Sequence, residues 1–326
     1  MTVVLGSGAV ALAHALFQSR YGPVVLAGSP PVAAVPAVER VPAPLLTLLL
    51  ELGIVPAELD VDCLTRDSLV AWEQSVPTER RGPACAHVDR SALVGALWRR
   101  VQACPDVQVV APLRTAEVTA ERLVDATGRR ALTAARRAHP TPVWVATCCS
   151  VPRADLDPTM RLAASSTGYA FRLGSARWLT VGWVGPGAPP PNSAGVCDRL
   201  VDGGAGWLLE DVDLAKAQVF RRVASVADAA PSDDARVLAL GDAALARDAL
   251  ASQGMAIGLS DARRAAGPDG DRGREALSSR HRDGFERHLR HLAGTLDACH
   301  HHRAPAWLTY RRWVDERRAG RLASEV

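Results

Sequence analysis

Three short stretches combine an apolar run with glycine and small polar residues in a way that can do chemistry. The first, VVLGSGAVA at 3–11, runs a strand into a turn carrying Gly6 and Gly8 and then into a helix opening at Ala9. That order presents backbone N–H groups at the positive end of a helix, where a pyrophosphate binds readily. Ala11 takes the place of a third glycine and is small enough for close helix–strand packing. The second stretch is VDATGRR at 124–130, a strand end followed by Asp125, Thr127 and Gly128. The third is RVLALGDAALARDALASQGMA at 236–256. There Gly241 and Asp242 follow a strand, where a carboxylate can bond sugar hydroxyls, and Gln253-Gly254-Met255 opens a helix.

The elements that must position these residues alternate in type. Strands are expected at 2–5, 23–27, 107–110, within 116–127, at 143–149, 178–184 and 236–240. Helices are expected at 9–19, 44–53, 88–103, 253–266 and from 275 onward, with a break near Pro305. Gly53 reads as a helix stop, Asp89 or Ser91 as a helix cap, and 185–195 as a loop. This pattern predicts an α/β chain: a Rossmann-like domain with a smaller sheet-based domain and C-terminal helices. The expected division is 1–45, 85–150 and 220–265 for the first domain, 46–84 and 151–219 for the second, and 266–326 for the helical end. The second strand ends in Gly28-Ser29. A dinucleotide-binding strand usually offers an acidic residue there for a ribose; Ser29 supplies one uncharged hydrogen bond.

Composition removes several classes. With 48% hydrophobic and 22% charged residues the chain is globular, and a net charge of +3 is too small for a nucleic-acid binder. Lys216 is the only lysine, so the basic residues are arginines. Seven cysteines without CxxC spacing fit a reduced, cytoplasmic protein, and no apolar run reaches the length of a membrane span. His281, His288 and His291 lie on a helical face and the consecutive His300–His302 fan around a helix; all read as surface and not as a metal site.

Together the three stretches resemble the FAD-dependent monooxygenases of the aromatic-hydroxylase type, with their GxGxxG, DATG and GDAA…DP…GQG motifs in this order. VERVPAPLLTLLLELGI (38–54), AWEQSVP (71–77), HVDRSALVGALWRRV (87–101) and HHHRAPAWLTYRRW (300–313) extend the resemblance to one branch. It includes tryptophan halogenases and the flavoproteins that modify tryptophan in quinone-cofactor maturation. The resemblance implies FAD, reduced by NADH or NADPH directly or through a partner flavin reductase. It also implies an aromatic substrate, an indole by preference, free or borne on a peptide or protein. By the same resemblance, Gly6, Gly8, Ala9 and Ala11 hold the pyrophosphate and Ser29 stands at the ribose. Asp125, Thr127 and Gly128 lie beside the glycine turn, and Gly241 and Asp242 meet the ribityl chain. Arg40, Arg90, Gln253, Gly254 and Met255 lie at the flavin edge, and Trp178 and Trp183 line the substrate pocket.

Halogenases of the branch need a lysine near the flavin tunnel and a WxWxIP stretch. Lys216, expected in a helix before 236, does not match the first, and the second does not occur. Hydroxylation needs neither, since the cofactor supplies the electrophilic oxygen. The other readings are a flavin-dependent halogenase or dehydrogenase, and a flavin-free scaffold of the same fold that binds a partner protein. Asp248-Ala249 departs from the family's Asp-Pro, and the sequence assigns no catalytic residue.

Overall fold

The computed structural model describes the chain apart from residues 32–34, 62–63, 114–118, 134–136, 139–141, 154–156, 230–231, 233, 252–253, 268–269 and 321–326. Five short strands form a parallel sheet in the order β15 (Val237–Ala239), β7 (Arg122–Asp125), β1 (Thr2–Leu5), β2 (Val24–Ala27), β6 (Val107–Val110). Parallel strands are covered on both faces, and TVVL and VVLA read accordingly as unbroken apolar runs. Helices α1 (Ala9–Ser19), α2 (Ala43–Glu51), α3 (Arg90–Ala103) and α5 (Gly254–Ala265) build the main core with Val4, Leu12, Leu97 and Leu259. The Asp89 carboxylate caps α3 by accepting from the Ser91 N–H at 2.9 Å.

The second sheet has eight strands, ordered β13 (Gln218–Val223), β9 (Trp144–Pro152), β12 (Trp178–Pro186), β11 (Gly168–Gly174), β10 (Met160–Ser165), β4 (Thr65–Ala71), β5 (Thr78–Asp89), β3 (Val38–Pro42). It is antiparallel except where β10 runs parallel to β4. One face packs Val181 and Trp183 against Val196 and Leu200 of α4 (Ser193–Asp202). The other face packs Trp72, Trp144 and Tyr169 against α6 (Gly270–Ala298) and α7 (Pro305–Arg318), which supply Leu292, Trp307 and Tyr310. Trp307 sits edge-on to Trp144 at 5.0 Å and to Trp72 at 5.5 Å, and its indole N–H donates to the Ser165 carbonyl. The C-terminal helices are thus a layer of the second sheet. A small third sheet joins β8 (Arg137–Ala138), β14 (Ala227–Ala229) and β16 (Leu245–Ala246).

This is the α/β architecture expected from the sequence, a parallel Rossmann-like sheet with a second sheet and C-terminal helices. Two local expectations change. Lys216 lies in an exposed turn before β13, not in a helix, and the stretch read as a loop at 185–195 contains the start of α4 at Ser193. No described helix is long and apolar enough to cross a membrane.

Candidate functional site

The carboxyl ends of β1, β2, β7 and β15 converge, the position at which open parallel sheets bind ligands. Gly6 follows β1 with φ +119°. A Cβ there would stand 2.6 Å from the Ala126 carbonyl oxygen, and a Cβ on Gly28 would stand 2.7 Å from the Gly6 oxygen. Main-chain bonds lock the three turns together: Gly6 N–H to the Ala27 carbonyl, Ala126 N–H to Leu5, and Gly28 N–H to Val110. The absence of a side chain at 6 and 28 is therefore what lets three strand ends meet. The DATG stretch and the first glycine turn form one piece of backbone.

Asp125 is fully buried, and its carboxylate is used inside this piece. Oδ1 accepts from the N–H and hydroxyl of Thr127 at 3.0 and 2.6 Å, and Oδ2 from the N–H and hydroxyl of Thr133, both at 2.8 Å. The Thr127 hydroxyl also accepts from the Leu132 N–H. Asp125 and Thr127 thus shape the turn, while Gly128, at φ +67°, reverses the chain. Asp125→Asn keeps the volume but points an amide NH2 at donors. The expected outcome is a loss of about 2–4 kcal/mol, from charge-assisted bonds worth roughly 1.5–3 kcal/mol each with part of the set surviving. Urea unfolding checks this: a midpoint shift worth under about 0.5 kcal/mol contradicts the role.

Three further elements bring charge to the same edge. Asp242 follows the turn at Gly241, whose φ is +57°. Its carboxylate pairs with the Arg129 Nε at 3.5 Å. Arg129 is anchored: its guanidinium also donates to the carbonyls of Ser225 and Arg247. Arg90, at the start of α3, donates to Glu39 at 2.7 Å, and Glu39 in turn accepts from Arg222. Glu39 raises the pKa of the Arg90 guanidinium, with Asp242 adding to the effect. Gly241 and Gly258 of α5 close around Val10 of α1; a Cβ on Gly258 would stand 2.7 Å from a Val10 methyl. That contact fixes Gly254 and Met255, at the start of α5, relative to the glycine turn. Gln253 lies outside the described residues.

Arg40 lies apart from this edge, on β3 opposite His87 of β5. It reaches the Met160 sulfur of the second sheet at 3.8 Å. The His87 Nδ1 bonds the Gly174 carbonyl, and burial lowers the imidazole pKa to about 4. Ser29 is exposed beyond β2. Trp178 and Trp183 are five apart on β12 and so face opposite sides. Trp183 is buried with α4 beneath the Arg199 guanidinium, while Trp178 is half-buried near Ser175.

A buried polar network escaped the sequence reading. Asp248 is 2% exposed; its carboxylate accepts from the hydroxyls of Tyr310 and Tyr169 and from the Leu250 N–H. Its own N–H donates to His288 Nε2 at 3.3 Å. Burial raises the Asp248 pKa and carries both tyrosines well above their ordinary value. His288, read from the sequence as surface, is buried, with a pKa lowered to about 4 by burial. The aspartate stands at the Asp-Ala that departs from the family's Asp-Pro, but its tyrosine and histidine partners lie 40 to 79 residues away. No spacing rule could connect them. Among the described residues no group of histidines, cysteines and carboxylates could hold a metal.

The glycine turn fits a dinucleotide pyrophosphate. Gly8 is the extended N-cap of α1 without a side-chain cap, the first turn of α1 has no acidic residue, and a Cβ on Gly8 would meet nothing within 4 Å. The first helical bond runs from Leu12 N–H to the Gly8 carbonyl, so the N–H groups of the first turn are left for an anion. The end of β2 offers the exposed Ser29 hydroxyl and no carboxylate.

This architecture is the FAD-binding fold of flavin-dependent halogenases and hydroxylases. The chain superposes on QhpG, a peptidyl tryptophan dihydroxylase essential for tryptophylquinone cofactor biogenesis, with TM-score 0.74 and 23% identity, over 95% of this chain and 78% of that one. A tryptophan halogenase from Shewanella frigidimarina gives TM-score 0.77 at 13% identity over 99% and 82%. The myxobacterial chondrochloren halogenase CndH gives 0.71 at 17% identity over 99% and 89%. No protein-family model matches the chain, and no curated protein matches it in sequence.

Proposed function

We propose that the chain is an FAD-dependent monooxygenase acting on an indole ring, free or within a peptide. The observation that carries this is the backbone cradle at Gly6, Gly28 and Ala126, set beside an uncapped α1, on the fold shared with QhpG. Gly8, Ala9 and Ala11 hold the pyrophosphate through backbone N–H groups, and Gly6, whose own N–H is bonded to the Ala27 carbonyl, shapes the turn that admits it. Asp242, oriented by Arg129, takes the ribityl hydroxyls, and Gly254 and Met255 abut the pyrimidine edge. When bound and reduced, the flavin supplies the activated oxygen. Reduction comes from NADH or NADPH, directly or through a partner flavin reductase. Trp178, on the β12 face away from α4, is the pocket residue of the two tryptophans. The Asp248–Tyr310 bond ties the loop before α5 to the aromatic layer under the second sheet and so holds the two halves of the site in register.

Halogenation of the same substrates is the second reading, since halogenases share the fold. The placement of Lys216 argues against it: this lone lysine is exposed beside edge strand β13, and no other is available to carry an activated halogen.

The test uses the purified chain with FAD, a flavin reductase, NADH, isotopically labelled oxygen gas and a tryptophan-containing peptide, with and without bromide. One or two labelled oxygen atoms in the product, unaffected by bromide, is the expected outcome. Brominated product supports the second reading. A protein that takes up no FAD at tens of micromolar is a flavin-free scaffold.

A further inference from the structure

Outside the glycine-turn site, a cleft of about 300 Å³ opens between α5, α6 and the loop before α5. One face of α6 lines it with Arg280, His281, Gly284, Arg287, His288 and His291, whose spacing of three, four and seven is that of a single helical stripe. Ile257 and Asp261 come from α5, and Arg247 from the loop.

Charge in this cleft does not balance. Asp261, 1% exposed, is its lone carboxylate; it faces His281 at 3.0 Å and Arg280 at 3.4 Å. Neither the Arg247 nor the Arg287 guanidinium has a hydrogen-bond or ion-pair partner among the described residues; the Arg247 carbonyl accepts from Arg129. Three guanidinium groups against one carboxylate leave an excess of two positive charges. The Arg247 pKa is lowered by burial and by Arg287 and Arg280, with Asp261 opposing. Holding a half-buried guanidinium beside two others is unfavourable unless something compensates it.

The chain also makes room for this arrangement. A Cβ on Gly284 would lie 3.0 Å from Arg247 Nη2, so a mid-helix glycine, costly in α6, leaves the space that seats the guanidinium. His288, which also lines the cleft, adds a neutral donor: with Nε2 accepting from the Asp248 N–H, its proton resides on Nδ1.

We propose that this cleft binds a dianionic phosphate, with Arg247 and Arg287 as its principal ligands and Arg280 and His288 completing the cradle. Two paired donors per guanidinium suit the oxygens of a phosphate, and the volume leaves space for a small organic group attached to it. Through the backbone bond from Arg129 to Arg247, phosphate here is also coupled to the Arg129–Asp242 pair of the flavin site.

Calorimetric titration of the full chain with inorganic phosphate, glycerol 2-phosphate, acetate and a polyglutamate peptide tests this. A dissociation constant at or below about 1 mM for at least one of the two phosphates is expected, with acetate at least tenfold weaker. Arg287→Gln, on an exposed helix position, is expected to weaken the phosphate at least tenfold without changing the melting temperature or FAD uptake. Arg247→Gln and Gly284→Leu should weaken it similarly. Tighter binding of the ester than of inorganic phosphate identifies an organic phosphate as the ligand, and the reverse identifies the free ion. The proposal is overturned if neither phosphate binds, if Arg287→Gln binds as well as the parent, if acetate equals phosphate, or if polyglutamate outcompetes both. FAD uptake is read separately, so failure here leaves the flavin assignment untouched.

Discussion

Lowering the pH from 7.5 to 5 is expected to remove about 4–6 kcal/mol of folding stability, a large part of the total for a domain of ordinary stability. Three buried histidines carry the effect. His14, His87 and His288 are 0, 6 and 3% exposed, and burial lowers each pKa from 6.5 to about 4. In the unfolded chain these imidazoles take up protons near pH 6.5; in the fold they stay neutral until near pH 4. Between those values the unfolded state binds more protons, so stability rises with pH there and falls as acid is added. At pH 5 each group accounts for about 2 kcal/mol. Asp248 works the other way, since burial raises its pKa and the fold gains from protonating it, which trims the total. His14 is the cleanest probe, because its ring contacts the Ala262 carbonyl and its Nε2 has no hydrogen-bond partner among the described residues. Urea midpoints measured for the parent and for His14→Gln at pH 7.5, 6 and 5 should show the parent falling steeply and the variant more gently by about one proton. Equal stability of the parent at pH 7.5 and 5 refutes the assignment.

The parts of this fold legible in the sequence are those where local chemistry and tertiary role coincide. TVVL, VVLA and the strand before DATG are short and buried on both faces, so hydrophobicity alone marks them, and the glycines after them mark the ligand edge. Helix α1 was legible to the residue because an apolar run of good formers follows an uncapped glycine. The second sheet was harder. Strand β5 opens on the exposed charges Glu79, Arg80 and Arg81, with Gly82 and Pro83 inside it, so its buried run begins only at Cys85. Strand β13 carries Arg221 and Arg222, and β10 opens on Met160-Arg161, so neither reads as a clean apolar run. The Asp248–Tyr169–Tyr310–His288 network was hidden for a different reason. Each member is ordinary in its own segment, and only the docking of α6 and α7 on the second sheet makes them neighbours. Arg129 shows the same limit: a charged residue after a glycine reads as solvated until the loop it holds is in place.

Gly6→Ala should separate what the glycine turn does for the fold from what it does for the cofactor, provided Gly8→Ala is measured beside it. At Gly6 a methyl meets two obstacles. The backbone sits at φ +119°, outside the region open to L-residues, and the methyl would lie 2.6 Å from the Ala126 oxygen and 3.0 Å from its carbonyl carbon. Ala126 cannot retreat, since its N–H is bonded to Leu5 and the Asp125 carbonyl accepts from Leu240. Strain and overpacking together are expected to cost about 3–5 kcal/mol and to abolish FAD uptake by prising the DATG turn from β1. Gly8 differs in both respects: its φ is −81° and a methyl there meets nothing in the protein. Any effect of Gly8→Ala on binding therefore reports contact with a ligand at the start of α1. Stability within about 1 kcal/mol of the parent, with FAD bound about tenfold more weakly, is the expected result by urea unfolding and flavin fluorescence titration. Unchanged FAD affinity in Gly8→Ala would move the pyrophosphate away from the α1 terminus. A Gly6→Ala protein as stable as the parent would mean that β1, β2 and β7 do not meet as closely as their carboxyl ends are placed.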